Sequence, residues 1–188
     1  MTNALLVDLD GTLVDTHSAN VAAYRLALEE SGVDYDREAL EKTIGRLAWR
    51  PMLASVAPSA PEAHSRVAAR KREIYSAYME LVHVNDALVQ LIGALRSRGW
   101  KTALVTAASR GSVEALLTAK QLSGLFDVTV TSDDVTEQKP SALPFHEAAR
   151  QLGVSSKDCV ICEDSEVGLR AAAAFGCQIW QVRWNLNG

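Results

Sequence analysis

From residue 85 onward the chain alternates short apolar runs with helix-patterned stretches, and that rhythm leaves few folds open to it. Asn85 or Asp86 can cap a helix whose apolar face is Leu88, Leu91, Ile92 and Leu95, with Gly99 as its stop. A strand is expected over 102–106, then a helix carrying Val113, Leu116 and Leu117. A strand over 126–131 precedes a helix over 144–152 that ends at Gly153. A strand over 158–162 leads into an Ala-rich helix, Glu166–Phe175, stopped by Gly176, and a last strand covers 178–183. Strands that alternate with helices form a parallel sheet with helices on both faces. The apolar run over 4–9 belongs to the same sheet. The fold class expected is therefore α/β, with a Rossmann-like parallel sheet.

Residues 15–84 break the rhythm and read as helices: one over 18–31 with Val21, Tyr24 and Leu28 on one face, one over 37–44, and a long one over 62–82. A Pro-rich loop, Pro58-Ser59-Ala60-Pro61, precedes the long helix. The expected domains are a catalytic core of 1–14 and 85–188 and a small all-helical cap of 15–84, inserted after the first strand. Such a cap would sit over the carboxyl ends of the strands, where open α/β sheets bind ligands.

The 188 residues suffice for a core without staples, and 48% hydrophobic with 22% charged residues fits a soluble globular protein. No apolar run approaches the roughly 20 residues of a membrane span, and the N-terminus lacks a basic start or cleavage site. A cytoplasmic location with no membrane partner is expected. A net charge of −4 argues against nucleic acid as a partner. Between Lys42 and Arg72, however, stand seven basic residues and one acid, a basic segment that suits an anionic substrate. Widening the window to 37–80 adds one base and four acids and halves that excess. Cys159 and Cys162 form a C-x-x-C, but on a strand positions three apart face opposite ways, so they read as small buried hydrophobes.

The distinctive polar residues follow strands: Asp8 and Asp10, Thr106, Lys139, and Glu163 with Asp164. In a parallel sheet those ends meet at one edge. Asp8 and Asp10, two apart on an extended segment, point the same way. Clustered carboxylates suit Mg²⁺, which keeps waters and contacts substrate phosphate. One carboxylate can attack phosphorus, and a second can protonate the leaving oxygen and then activate water. Cation, ammonium, hydroxyl and backbone N–H groups steady the phosphoryl charge.

Asp8-Leu9-Asp10-Gly11-Thr12, Thr106, Lys139-Pro140 and Glu163-Asp164-Ser165 with Gly168 resemble, in order, the four motifs of the haloacid dehalogenase superfamily. The resemblance covers the whole chain, and the cap is similar to that of the subgroup containing β-phosphoglucomutase and phosphoglycolate phosphatase. It implies Asp8 as nucleophile and metal ligand, and Asp10 as general acid–base whose backbone carbonyl also ligates the metal. Thr106 and Lys139 would hold the phosphoryl group, with Gly11, Thr12 and Ala107 lining its pocket. Asp164 would ligate Mg²⁺, with Glu163 assisting directly or through water. Ala107 stands where many relatives have Asn, and Gln138 where Gly is usual. Neither change removes a core catalytic group. In the cap, Lys71 lies in line with the stripe Val67, Ile74, Tyr78 and Leu81, so it either snorkels or reaches a substrate phosphate. Arg46 and Arg50 lie where relatives place a specificity loop, and each fits a surface role equally well. His64, His83 and His146 read as surface or packing residues without partners, and His17 stands near the hinge. The resemblance implies a Mg²⁺-dependent phosphatase acting on a small phosphorylated metabolite, monomeric or homodimeric. A phosphomutase is the enzymatic alternative, with Thr12 favouring the phosphatase, and a receiver-type signalling domain the alternative from another class.

Overall fold

The computed structural model describes residues 3–45, 47 and 49–183. The chain divides into two compact units, one formed by Met1–Asp15 with Val84–Gly188 and one by Thr16–His83.

The first unit is built on a five-stranded parallel sheet. Its strands are β1 (Ala4–Val7), β4 (Lys101–Val105), β5 (Val128–Val130), β6 (Cys159–Glu163) and β7 (Gln178–Gln181), in the order β5-β4-β1-β6-β7. Two-residue strands, β2 (Val14–Asp15) and β3 (His83–Val84), mark where the chain leaves and returns. In register, Leu6 of β1 stands between Ala103 of β4 and Ile161 of β6. The β1 residues Ala4, Leu5, Leu6 and Val7 are all fully buried, as a central strand covered on both faces requires.

One face of the sheet is closed by α7 (Leu143–Leu152) and α8 (Glu166–Phe175). There Leu6, Val105, Val130 and Ile161 pack with Phe145, Ala148, Ala172 and Phe175. The alternate residues Leu5, Val7, Leu104 and Cys162 are buried too, and α5 (Asp86–Arg96) and α6 (Arg110–Ala119) complete the helical complement. Each large apolar side chain so enclosed contributes about 1.5–3 kcal/mol. Local chemistry sets the helix ends. Asn85 accepts a hydrogen bond from the Leu88 N–H at 3.1 Å and caps α5, while Gly153 and Gly176 end α7 and α8 in the left-handed conformation. Leu91, expected on the apolar face of α5, is instead exposed, because burial is confined to Leu88 and Ile92 one turn apart. Cys159 and Cys162 are buried free thiols.

The second unit is a helical cluster: α1 (His17–Glu30), α2 (Arg37–Thr43), α3 (Trp49–Val56) and α4 (His64–Ile74). Tyr24, Leu28, Leu40, Met52, Leu53, Val56 and Val67 form its core. Two elements differ from the sequence reading. The helix expected over 62–82 comes in three pieces: a 3₁₀ turn at Pro61–Ala63, α4, and a 3₁₀ segment, Tyr75–Leu81. That last segment buries no residue fully, and Leu81 is exposed. Helix α3 is the second difference. The sequence reading has no helix there; Pro51 stands in its first turn, where a residue has no intrahelical acceptor for its N–H, so proline is tolerated. His64 and His146 do have partners: His64 Nε2 lies 2.8 Å from the Ala57 carbonyl, and His146 meets the Phe175 ring edge-on at 4.9 Å. Among the described residues no helix is long and apolar enough to cross a membrane.

Candidate active site

The site forms where β1, β4 and β6 end. The Asp8 N–H donates to the Cys162 carbonyl at 3.0 Å, extending the central pairing by one step and leaving the Asp8 side chain at the sheet's carboxyl edge. The chain then turns tightly. Leu13 and Val14 both donate to the Leu9 carbonyl, and Gly11, at φ +86°, donates to Val14. A side chain at Gly11 would need the left-handed region, and its Cβ would lie 2.3 Å from an Asp164 oxygen. The tight turn therefore lets Asp164 approach the backbone of the first motif.

Lys139 joins the strand ends. Its ammonium donates to Asp8 Oδ1 at 2.5 Å, to Glu163 Oε2 at 2.8 Å and to the Val105 carbonyl at 3.2 Å, which uses all three of its hydrogens. Glu163 is the last residue of β6 and almost wholly buried. Its other oxygen accepts from the Ser165 hydroxyl at 2.6 Å, and Ser165 also caps α8 by accepting from the Gly168 N–H. Gly168 has no side chain because the Glu163 carboxylate occupies that space: a Cβ there would fall 1.9 Å from Oε1. Thr12, fully buried, donates its hydroxyl to Asp164 Oδ1 at 2.9 Å. Asn85 holds the same turn from behind, through its side chain to the Thr12 carbonyl and its N–H to the Leu13 carbonyl.

Oxygens of Asp8, Glu163 and Asp164 lie within 4.8 Å of one another. The Asp8 carboxyl is pushed up to about 8, chiefly by burial, with Lys139 opposing the rise and Glu163 and Asp10 adding to it. Burial also raises Asp164, against the Thr12 hydrogen bond. For Lys139 burial acts downward, but Asp8 and Glu163 outweigh it and its pKa is raised. Three clustered carboxylates thus share one ammonium. Hard oxygen donors with excess negative charge fit a divalent cation, which the same oxygens could hold.

The residues expected at the site fall into three groups. Asp8, Lys139, Glu163 and Asp164 meet directly, as above. Asp10 is exposed, one residue short of Gly11, and close enough to act on the charge of Asp8. Thr106 is buried at the end of β4, where its hydroxyl accepts the Ala108 N–H at 3.1 Å, while Ala107 is exposed. Thr12 is fully buried, with its hydroxyl donated to Asp164. Arg46 lies outside the described residues. Arg50 and Lys71 belong to the helical unit. There the Arg50 guanidinium lies over the Trp49 ring at 4.3 Å, and the Lys71 ammonium over Tyr75 at 3.8 Å and Tyr24 at 5.4 Å. Sequence reasoning missed the work of Ser165 and Asn85 within the site. Asn85 reads as a helix cap, and that signal hides the second bond its side chain makes, while Ser165 stands in the fourth motif with no role assigned to it.

A family model described as haloacid dehalogenase-like hydrolase matches residues 5–182. The chain belongs to the haloacid dehalogenase-like hydrolases. This member of the family is 31% identical over 180 residues to the fructose-1-phosphate phosphatase YqaB of Escherichia coli, covering 95% of both chains. It is 27% identical to the pyrophosphatase PpaX of Bacillus cereus, covering 99% of this hydrolase and 85% of the relative. Its fold superposes on a putative β-phosphoglucomutase from Thermotoga maritima with a TM-score of 0.78 at 29% identity, covering 100% of this chain and 88% of the other. Membership of a hydrolase family sets aside the receiver-type alternative.

Proposed function

We propose that this hydrolase is a Mg²⁺-dependent phosphatase that removes phosphate from a small phosphorylated metabolite, a sugar phosphate or a similar compound. The observation that carries the reading is the buried Asp8 carboxylate, held at 2.5 Å by Lys139 and flanked by Glu163 and Asp164 at the sheet's carboxyl edge. A buried carboxylate so held is stripped of water and aimed, which is what a nucleophile needs. Its Oδ2 is the attacking atom, because Oδ1 accepts the Lys139 hydrogen bond. Attack forms an acyl phosphate on Asp8 as the bond from phosphorus to the leaving oxygen breaks. Asp10, exposed beside it, gives a proton to the leaving oxygen and then takes one from the water that hydrolyses the acyl phosphate. Thr106 holds a phosphoryl oxygen through its hydroxyl, and Lys139 does so by turning one hydrogen from the Val105 carbonyl, its longest contact. Mg²⁺, when bound, neutralises phosphoryl charge; Asp8, Asp164 and the Asp10 carbonyl would hold it. Both oxygens of Glu163 already accept hydrogen bonds from Lys139 and Ser165, which favours an outer role for Glu163 over direct ligation.

The names of the relatives support phosphoester or phosphoanhydride substrates. The test is phosphate release across a panel of phosphorylated metabolites with Mg²⁺, with Asp8→Asn as control. Turnover is expected for the natural protein and not for Asp8→Asn; a variant that retains turnover would remove Asp8 from the nucleophile's role. The likeness to a putative β-phosphoglucomutase sustains one second reading, a mutase that returns the phosphoryl group to substrate. Incubation with a hexose 1-phosphate separates the two: isomerisation without phosphate release would favour the mutase.

A further inference from the structure

The loop that leads from β5 to Lys139 carries two acids, Asp133 and Asp134, that the chemistry above does not use. Asp134 Oδ2 accepts from the Thr131 N–H and from the Thr131 hydroxyl, each at 2.7 Å. Both of its oxygens lie 2.7 Å from one guanidinium nitrogen of Arg110. Arg110 is the first residue of α6, the helix that follows Thr106, and its own N–H donates to Asp133 Oδ2 at 2.9 Å. The bonds continue between these two loops. The Ser132 N–H donates to the Ala108 carbonyl at 3.0 Å, the Ala108 N–H donates to the Thr106 hydroxyl, and the Gln138 side chain reaches the Ser132 carbonyl at 3.4 Å. Thr106 itself donates its N–H to Val130, the last residue of β5.

A continuous set of hydrogen bonds therefore runs from Thr106 to the residue before Lys139, and the Asp134 carboxylate is its most heavily bonded member. We propose that Asp134 is a positioning residue that registers the Thr106 loop against the Lys139 loop, so that the two groups gripping the phosphoryl oxygens stand at a fixed spacing; this rests on the phosphatase reading. A hydroxyl and an ammonium that must meet the same phosphoryl group cannot each wander with its own loop. A misplacement of about 1 Å is enough to cost roughly 100-fold in rate. The Arg110 contact holds Asp134 in its charged form, well below the usual carboxylate range, so the carboxylate keeps all its acceptor capacity at neutral pH.

The molecule supplies its own control. At the amino end of the same strands, Asp127 accepts from the Thr102 N–H at 2.7 Å, from the Thr102 hydroxyl at 3.2 Å and from Arg96 at 3.0 Å. The two constellations use the same groups, but the second lies at the sheet edge away from the site. If Asp134 merely stabilised a turn, the two acids would be equivalent.

The experiment compares Asp134→Ala with Asp127→Ala, using p-nitrophenyl phosphate with Mg²⁺ as substrate and orthovanadate as inhibitor. Thermal unfolding is followed alongside to correct for the folded fraction. Asp134→Ala is expected to lower kcat roughly 10–100-fold and to weaken orthovanadate inhibition. Asp127→Ala should lose stability while keeping kcat near that of the natural protein. Equal kcat per folded molecule in the two variants would overturn the proposal. A natural protein that releases no phosphate would overturn the phosphatase reading instead. Amide exchange then decides the positioning role: Asp134→Ala should speed exchange over 106–110 and leave 159–163 unchanged. Unaltered exchange over 106–110 would overturn the role.

Discussion

Thr12 sits wholly inside the molecule and directs its one hydroxyl hydrogen at Asp164. A hydroxyl that fixes one oxygen of a carboxylate turns the other toward whatever that carboxylate binds, and partners of this kind are worth roughly 10–100-fold in metal affinity. Thr12→Val keeps the branched shape and removes the donor. It should raise the Mg²⁺ concentration for half-maximal activity about 10-fold with the fold intact; an unchanged Mg²⁺ dependence would show that Asp164 needs no such orientation. Asp134 offers a second test, through pH. Its Arg110 and Thr131 hydrogen bonds depress its pKa to about 2. A depressed carboxyl contributes stability that is complete above its unfolded pKa of about 3.9 and is lost as pH falls through the folded value. The gap in urea midpoint between the natural protein and Asp134→Asn should thus be constant above about pH 4 and close as pH falls toward about 2. The contrast between these acids shows what single residues disclose. Asp8 and Asp164 stand out in the sequence because acids just after apolar strands have little structural reason to be there, while Lys139, well past the end of β5, is picked out by the family resemblance. Asp134 does not stand out, because its purpose depends on Arg110, which stands 24 positions earlier in the chain.

Helix α8 shows how an element can be shaped by a neighbour's side chain. Gly168 lies in its first turn, where alanine would ordinarily be favoured by about 1 kcal/mol. Here a methyl group would fall on the Glu163 carboxylate. Gly168→Ala should therefore lower the thermal midpoint and cut phosphate release together, because displacing Glu163 also removes a partner from Lys139. Stabilisation with full activity would show that the carboxylate can move aside at no cost. The most legible strands in the sequence are short apolar runs buried on both faces, as in Ala4–Val7 and Cys159–Glu163. Those that were not legible depend on context. Trp49–Val56 is held by the burial of Met52, Leu53 and Val56 in a core assembled from other helices. Past Ile74, the stripe from Val67 to Leu81 buries no residue fully, and the α-helix gives way to a tighter winding.

Across the whole molecule, charge links the site to stability. Asp8, Glu163 and Asp164 repel one another around a single ammonium, and a cation that binds only the folded chain stabilises it by mass action. Mg²⁺ at about 100 times its dissociation constant should add about 2.7 kcal/mol to unfolding stability. Chelation should reverse the gain, and Asp164→Asn should abolish it. A melting midpoint indifferent to Mg²⁺ would mean that the carboxylates bind no such ion. The sheet order was the least legible feature at this scale. Alternating strands and helices announce a parallel sheet, but only the packed structure places the first strand between β4 and β6. That placement bears on how the protein is made. A ribosome delivers Asp164 some hundred and fifty residues after Asp8. Through that stretch of synthesis the Asp8 carboxylate exists without the full set of groups that meet it in the folded chain. A chain terminated before β6 would carry Asp8 but neither Glu163 nor Asp164, so the proposed site assembles only once β6 has been made.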